Sequence, residues 1–216
     1  MIFAIDVGNT HLVAGCLDET GAYYVGRFET DLETTAEEYA IKFKCWLDIN
    51  AVEIGELEGG IISTVVPPLT TPLVRAVKYL IGKEPLVVGP GIKSGLNIKI
   101  DNPAQLGADM VAGAVASLHK YPAPQIVFDL GTATTASVID KNGSFRGVVI
   151  LPGVRTALAA LSEHTSQLPH IDLTAPKHVI GTNTIDSMRS GSVLGTAAMM
   201  DGIAERIEAE LGMKAT

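Results

Sequence analysis

Cysteine is nearly absent: Cys16 and Cys45 are the only two in 216 residues. One falls in a stretch of strand character and the other in a helical one, with no pairing pattern. A disulfide framework is not indicated, and the thiols read as buried or half-buried groups in a reducing compartment. Basic residues are scarce as well. Sixteen Lys and Arg against 24 Asp and Glu leave a net charge of −8, which argues against a nucleic-acid partner, because a phosphodiester-binding face shows as clustered Lys and Arg. A small anionic ligand stays open, held by backbone N–H groups, a few cations and metal ions. No apolar run reaches the ~18 to 20 residues of a membrane span, and the opening "MIFAIDVGNTH" lacks the basic start and long apolar middle of a signal peptide. The expectation is a cytoplasmic protein with no membrane partner. The five His residues show no HxxxH spacing and the cysteines no CxxC, so no zinc site is indicated. What the chain does have is apolar material: 47% hydrophobic against 19% charged suffices for a core in one large or two small domains.

Alternation and β-branched residues place strands at about residues 2–6, 11–18 and 22–29, with "DETG" turning the second into the third. Residues 34–50 open on Thr, carry acids in the first turn and space their apolar residues as a helix does. Trp46, on that apolar side, reads as a core or dimer contact. A buried strand over 59–69 then ends at a double proline, followed by a helix over 71–82 and the short strand "PLVVG". The Gly- and Pro-bearing stretch 89–103 reads as a linker. Beyond it come a small-residue helix over 104–120 and strands at 125–131, 135–143 and 144–150. Pro152-Gly153 ends a strand and starts a helix. Residues 182–212 read as one long helix or two, with Ile203, Ile207 and Leu211 on one side.

Two segments share a plan. "FAIDVGNTHLVAGCLDETG" and "IVFDLGTATTASVIDKNG" both run strand, Asp-x-Gly turn, strand, acidic Gly turn, with Asp6 matching Asp129 and Gly8 matching Gly131. Their places at the head of each block favour duplication. That gives two α/β domains, over 1–102 and 103–216, with a cleft expected between them as a small-molecule site. Phosphoryl transfer asks for positioned phosphates, a divalent metal, and a group that orients the attacking oxygen. Gly8 and Gly131 permit close backbone approach to phosphate oxygens. Asn9, Thr10, Thr132, Thr134 and Thr135 add side-chain donors, and Asp6 and Asp129 are hard ligands for Mg²⁺ or a monovalent cation. One such turn is equally a strand-ending bend stapled by Asp and Asn; the pair points to phosphate. Asp109 has two readings on spacing: a general base between small neighbours, or a first-turn carboxylate facing the helix dipole.

"DVGNTH", "ISTVVPP", "NPAQLGAD", "DLGTATT", "ILPG" and "GTNT" occur in an order and at intervals that together resemble the type III pantothenate kinases along nearly all of the chain. The resemblance implies the fold of sugar and acetate kinases and actin-like ATPases: two ribonuclease H-like domains, mixed sheets flanked by helices, around a nucleotide cleft. It implies ATP-dependent phosphorylation of pantothenate, the first step towards coenzyme A, by a homodimer using Mg²⁺ and K⁺ or NH₄⁺. On this chain the family's ATP contacts fall on Asp6, Val7, Gly8, Asn9, Thr10, His11, Leu12, Val13 and Thr132, with Asp6 also facing Mg²⁺. Its general base falls on Asp109 and its monovalent-cation ligand on Asp129. Its substrate contacts fall on Ile100, Gly107, Ala108, Met110 and Thr184.

The departures lie mainly on the substrate side. Met110 stands where the family has the Arg that pairs with pantothenate's carboxylate, and Ile100 where it usually has Tyr. Ala136-Ser137 replaces Phe-Asp, and Gly147-Val148 replaces Gly-Gly. Losing a charge-assisted contact to a carboxylate costs about 1.5 to 3 kcal/mol, roughly ten- to a hundredfold in affinity. Lys93, Lys99 and Arg155 are candidates to replace it. The alternative reading is a paralogue that binds nucleotide without catalysis, or one that phosphorylates another small hydroxyl acceptor. The chain stops at "GMKAT", where the family usually continues, so the second domain is expected to be incomplete or the sequence cut short.

Overall fold

The computed structural model describes residues 1–216. The chain divides into two compact units, one of residues 1–94 and 102–113, the other of residues 95–101 and 114–216.

The first unit is built on a five-stranded sheet: β1 (Ile2–Val7), β2 (His11–Asp18), β3 (Gly21–Glu29), β4 (Gly59–Thr64) and β5 (Leu86–Val87). Its order is β3-β2-β1-β4-β5; the first three strands are antiparallel neighbours, and β4 and β5 run parallel to β1. This is the ribonuclease H-like order. Register puts Phe3 opposite Cys16, Ile5 opposite Ala14 and Val7 opposite Leu12, all on one face, and that face is the core. Two helices cover it. Helix α1 (Ala36–Ile49) begins in a capping box, Thr35 Oγ1 accepting from Glu38 N–H and the Glu38 carboxylate from Thr35 N–H, and lays down Tyr39, Phe43 and Leu47 at four-residue spacing. Helix α2 (Pro67–Ile81) adds Leu69, Leu73, Ala76 and Val77. The strand expected to run to residue 69 stops at Thr64, because Pro67 and Pro68 open the helix. There their missing N–H groups have no partner to lose.

The second unit carries a four-stranded sheet in the order β6-β9-β8-β7: β6 (Asn97–Ile98), β7 (Gln125–Leu130), β8 (Ala133–Ile139) and β9 (Ser144–Pro152). Strands β7, β8 and β9 are antiparallel neighbours and β6 is parallel to β9. The stretch read as a linker therefore contributes a strand. Helix α3 (Ala108–Lys120) gives its first half to the first unit and its second half to the second. Buried Gln125 fixes the later half, accepting from Ser117 Oγ (2.6 Å) and donating to Tyr121 O (2.6 Å). Helix α4 (Val154–Glu163) and α5 (Thr184–Leu211) complete the unit. Residues 184–211 form one helix rather than two, capped by Asn183 and closed at Gly212 with φ +69°. The antiparallel run of β1, β2 and β3 recurs in β7, β8 and β9, and the paired motifs fall at the same place in each. No helix is long and apolar enough to cross a membrane.

Candidate functional site

In the first unit, β1 carries Asp6 to the sheet edge and the chain turns through Gly8, Asn9 and Thr10. Gly8 N–H donates to His11 O at 3.0 Å, and a Cβ on Gly8 would stand 3.2 Å from that oxygen, so the turn is too tight for a larger residue to enter unchanged. The end of β3 grips the other side: Thr30 Oγ1 donates to Gly8 O (2.7 Å) and Thr30 N–H to Thr10 O (3.1 Å). In a planar trans peptide the C=O and the next N–H point opposite ways. Anchoring those two carbonyls therefore turns the N–H groups of Asn9 and His11 away from Thr30. Asn9, Thr10 and His11 are exposed, and so is Asp6. Val7 and Leu12 have their side chains in the core, so only their backbone can touch a ligand. Val13 pairs with Asp6 and is half-buried.

Asp109 belongs to the same unit. Side chains alternate along β1 and β4, and in their parallel register Asp6 stands beside Ser63, on the face opposite Ile5 and Ile62. One alternation further along, Val65 N–H donates to Val7 O and extends the ladder. The Val65 side chain reaches Gly107: a Cβ there would be 3.6 Å from Val65 Cγ1 and would overlap Asp109 Oδ1. Gly107 is thus what allows the Asp109 carboxylate its position. Asp109 is half-buried, and its Oδ1 accepts from Met110 N–H at 2.8 Å. Ala108 is buried and Met110 half-buried. Asp6 and Ser63 thus stand side by side at the carboxyl ends of β1 and β4, and the Gly107–Asp109 corner lies against Val65 just beyond the end of β4. Ligands of parallel sheets gather at such edges.

The second unit repeats the turn with a different anchor. Gly131 N–H donates to Ala133 O (3.0 Å), while Thr132 O accepts from Gly153 N–H (3.1 Å) and Thr156 Oγ1 (2.8 Å), tying the turn to the first residues of α4. Asp129 and Thr132 are exposed. Thr134, expected among the donors, is fully buried with its hydroxyl unpartnered. Thr184 opens α5 and lines a cavity of about 910 Å³ together with Pro152, Val154, Met188, Ser192 and Thr196. Ile100 is not part of that wall. Strand β6 meets β9 at Phe145, whereas the Thr132 turn adjoins Pro152 at the other end, about 20 to 24 Å along the strand.

No group of three or more His, Cys, Asp and Glu side chains gathers anywhere in the structure, so there is no all-protein metal cage. The donors at the first turn are a carboxylate and hydroxyls, and Ser63 Oγ among them is buried without a partner. One carboxylate with substrate phosphates is how Mg²⁺ is commonly held. The residues fit that ion.

A family model described as type III pantothenate kinase matches residues 2–206. The chain belongs to the type III pantothenate kinase family. It is 42% identical over 212 residues to a type III pantothenate kinase of Exiguobacterium sp. strain AT1b, covering 98% of this chain and 84% of the relative. Another, of Halalkalibacterium halodurans, is 41% identical over 210 residues, covering 97% and 83%. Among solved structures, a protein from Campylobacter jejuni assigned to the Baf family of transcriptional activators shares the fold with a TM-score of 0.57 at 18% identity, covering 93% of this chain and 78% of that one. Sequence reasoning in this family frame passed over Ser63 and Thr30. The signal for Ser63 was a hydroxyl set in the apolar run "GGIISTVV". Thr30 carried none, because its role depends on β3 returning beside the turn.

Proposed function

We propose that the chain phosphorylates pantothenate with ATP to give 4′-phosphopantothenate, the first step of coenzyme A synthesis, in the cytoplasm and as a homodimer. One observation carries the reading in the structure. The Asp6 turn and the Asp109 corner both stand at the carboxyl ends of β1 and β4, so a base for the acceptor stands near a phosphate cradle. The outward N–H groups of the turn at Gly8 to His11 hold phosphate oxygens, and the turn at Gly131 to Ala133 adds a second cradle, with Thr132 contributing its side chain. Asp6 and neighbouring hydroxyls hold Mg²⁺, and Asp129 holds K⁺ or NH₄⁺. The divalent ion neutralises phosphate charge during transfer. Asp109 takes the proton of the acceptor's primary hydroxyl as its oxygen bonds to the γ-phosphorus; the bond to the β–γ bridging oxygen breaks and ADP leaves. Gly107 keeps space for that approach. Ala108 and Met110, which flank Asp109, contact the acceptor.

The test is an assay with ATP, Mg²⁺, K⁺ and pantothenate, scored for 4′-phosphopantothenate. Asp109→Asn is expected to lower turnover by about 10²- to 10⁴-fold with the fold intact by circular dichroism. Tight ATP binding with no turnover of pantothenate would overturn the reading in favour of a nucleotide-binding paralogue or a different acceptor. Sedimentation checks the dimer.

A further inference from the structure

Ser63 is a hydroxyl with no task in the free protein. It lies in β4, between β1 and β5, and is 8% exposed. Its Oγ is sealed from solvent and has no hydrogen-bond partner. The adjacent Thr64 does the local work instead, its Oγ1 accepting from Val66 N–H at 3.0 Å to shape the strand's exit. A hydroxyl so placed carries the penalty of desolvation with no bond to offset it, and an alanine would avoid that penalty.

The surroundings identify the acceptor. Parallel register sets Ser63 directly beside Asp6 on the same face, across a strand spacing of about 4.8 Å. That distance lies within reach of a serine hydroxyl and a carboxylate once one χ1 rotates. The next side chain on this face, Val65, abuts the Gly107–Asp109 corner. The hydroxyl therefore stands beside Asp6, one strand position before the segment that abuts the general base's corner.

Resting on the phosphotransferase reading above, we propose that Ser63 is a positioning residue for Asp6. Its hydroxyl donates to one oxygen of the Asp6 carboxylate when the magnesium nucleotide binds, fixing the direction of the other oxygen. O–H donors to carboxylate make short, strong bonds, and partners that orient a metal-facing carboxylate are typically worth ten- to a hundredfold in metal affinity. The hydroxyl that burdens the free protein is thereby used in the bound one.

The experiment compares the full chain with Ser63→Ala by two readouts that need no turnover. Thermal melting without ligand is expected to show the variant as stable as the wild type or more so. Calorimetric titration with a non-hydrolysable ATP analogue is expected to show about ten- to a hundredfold weaker binding in Mg²⁺ and little change without it. A variant that melts lower while binding the magnesium analogue normally would assign the hydroxyl to the fold and overturn the proposal. Unchanged melting with unchanged binding would overturn it too, by showing the group inert. Failure of the wild type itself to bind the magnesium analogue would instead sink the phosphotransferase reading, and this inference with it.

Discussion

At the scale of single residues, Asp140 decides how the second unit meets acid. Its side chain is 9% exposed and lies 3.6 Å from Arg146 and 3.8 Å from Lys99. Burial alone pushes the carboxyl up, but the N–H groups of Ser144 and Asn142, helped by the two cations, outweigh it and hold it below its ordinary value. A carboxyl depressed by folding stabilises the native state above its unfolded pKa, about 3.9, and that contribution fades as pH falls through the lower folded value. Asp140→Asn keeps an Oδ1 to accept both N–H groups but loses the charge, so it is expected to lower stability by at most about 1 kcal/mol at neutral pH, the charge-assisted part of those bonds plus a small share from the two half-exposed cations. The gap from wild type should close below about pH 4, as thermal melts across that range would record. The sequence showed the tight turn after Asp140, "DKNG", yet gave no sign that its first residue would be enclosed. That depends on Lys99 returning on β6, from a stretch whose Gly and Pro content read as a linker.

At the scale of elements, the second phosphate turn takes its shape from a helix start. A Cβ on Gly153 would overlap Gly131 O and Thr132 C and O, so Gly153→Ala must push α4 and the turn apart. Such overpacking costs about 1 to 3 kcal/mol, and nucleotide affinity is expected to fall at least about tenfold, the equivalent of 1.4 kcal/mol. Gly113→Ala is the control. A Cβ there meets nothing within 4 Å, and in mid-helix the change should be neutral or stabilise by up to about 1 kcal/mol; parallel melts and nucleotide titrations separate the two cases. Element identity was legible wherever period and caps agreed, as in α1 with its Thr35 box. It was less so where proline carried two meanings. "VVPPL" reads as the end of a strand and is also the start of a helix, and only the partners of Val65 and Val66 settle which residue leaves the sheet.

At the scale of the whole molecule, the chain uses one strand–turn–strand plan twice, and the plan was visible in two short strings because each turn places an Asp, a Gly and hydroxyls at matching positions between its strands. The anchors of those turns were not visible. Thr30 in one unit and Gly153 with Thr156 in the other arrive from different elements, so no shared spelling marks them. Whether the two turns serve one nucleotide is open to a double-mutant cycle. If Asp6 and Asp129 act on the same bound ATP, Asp6→Asn and Asp129→Asn should be non-additive in ATP affinity, with an interaction energy of at least about 0.5 kcal/mol. Additive losses would show two independent sites.

The single tryptophan gives this duplicated molecule an asymmetry of its own. Trp46 sits against Phe3 and Phe28 and so close to Gly26 that a Cβ there would overlap the indole, wholly inside the first unit. Indole emission during denaturation is therefore an optical tag on one half of the chain. Compared with far-ultraviolet dichroism, which sees both halves, it separates a single concerted collapse of order from two successive ones.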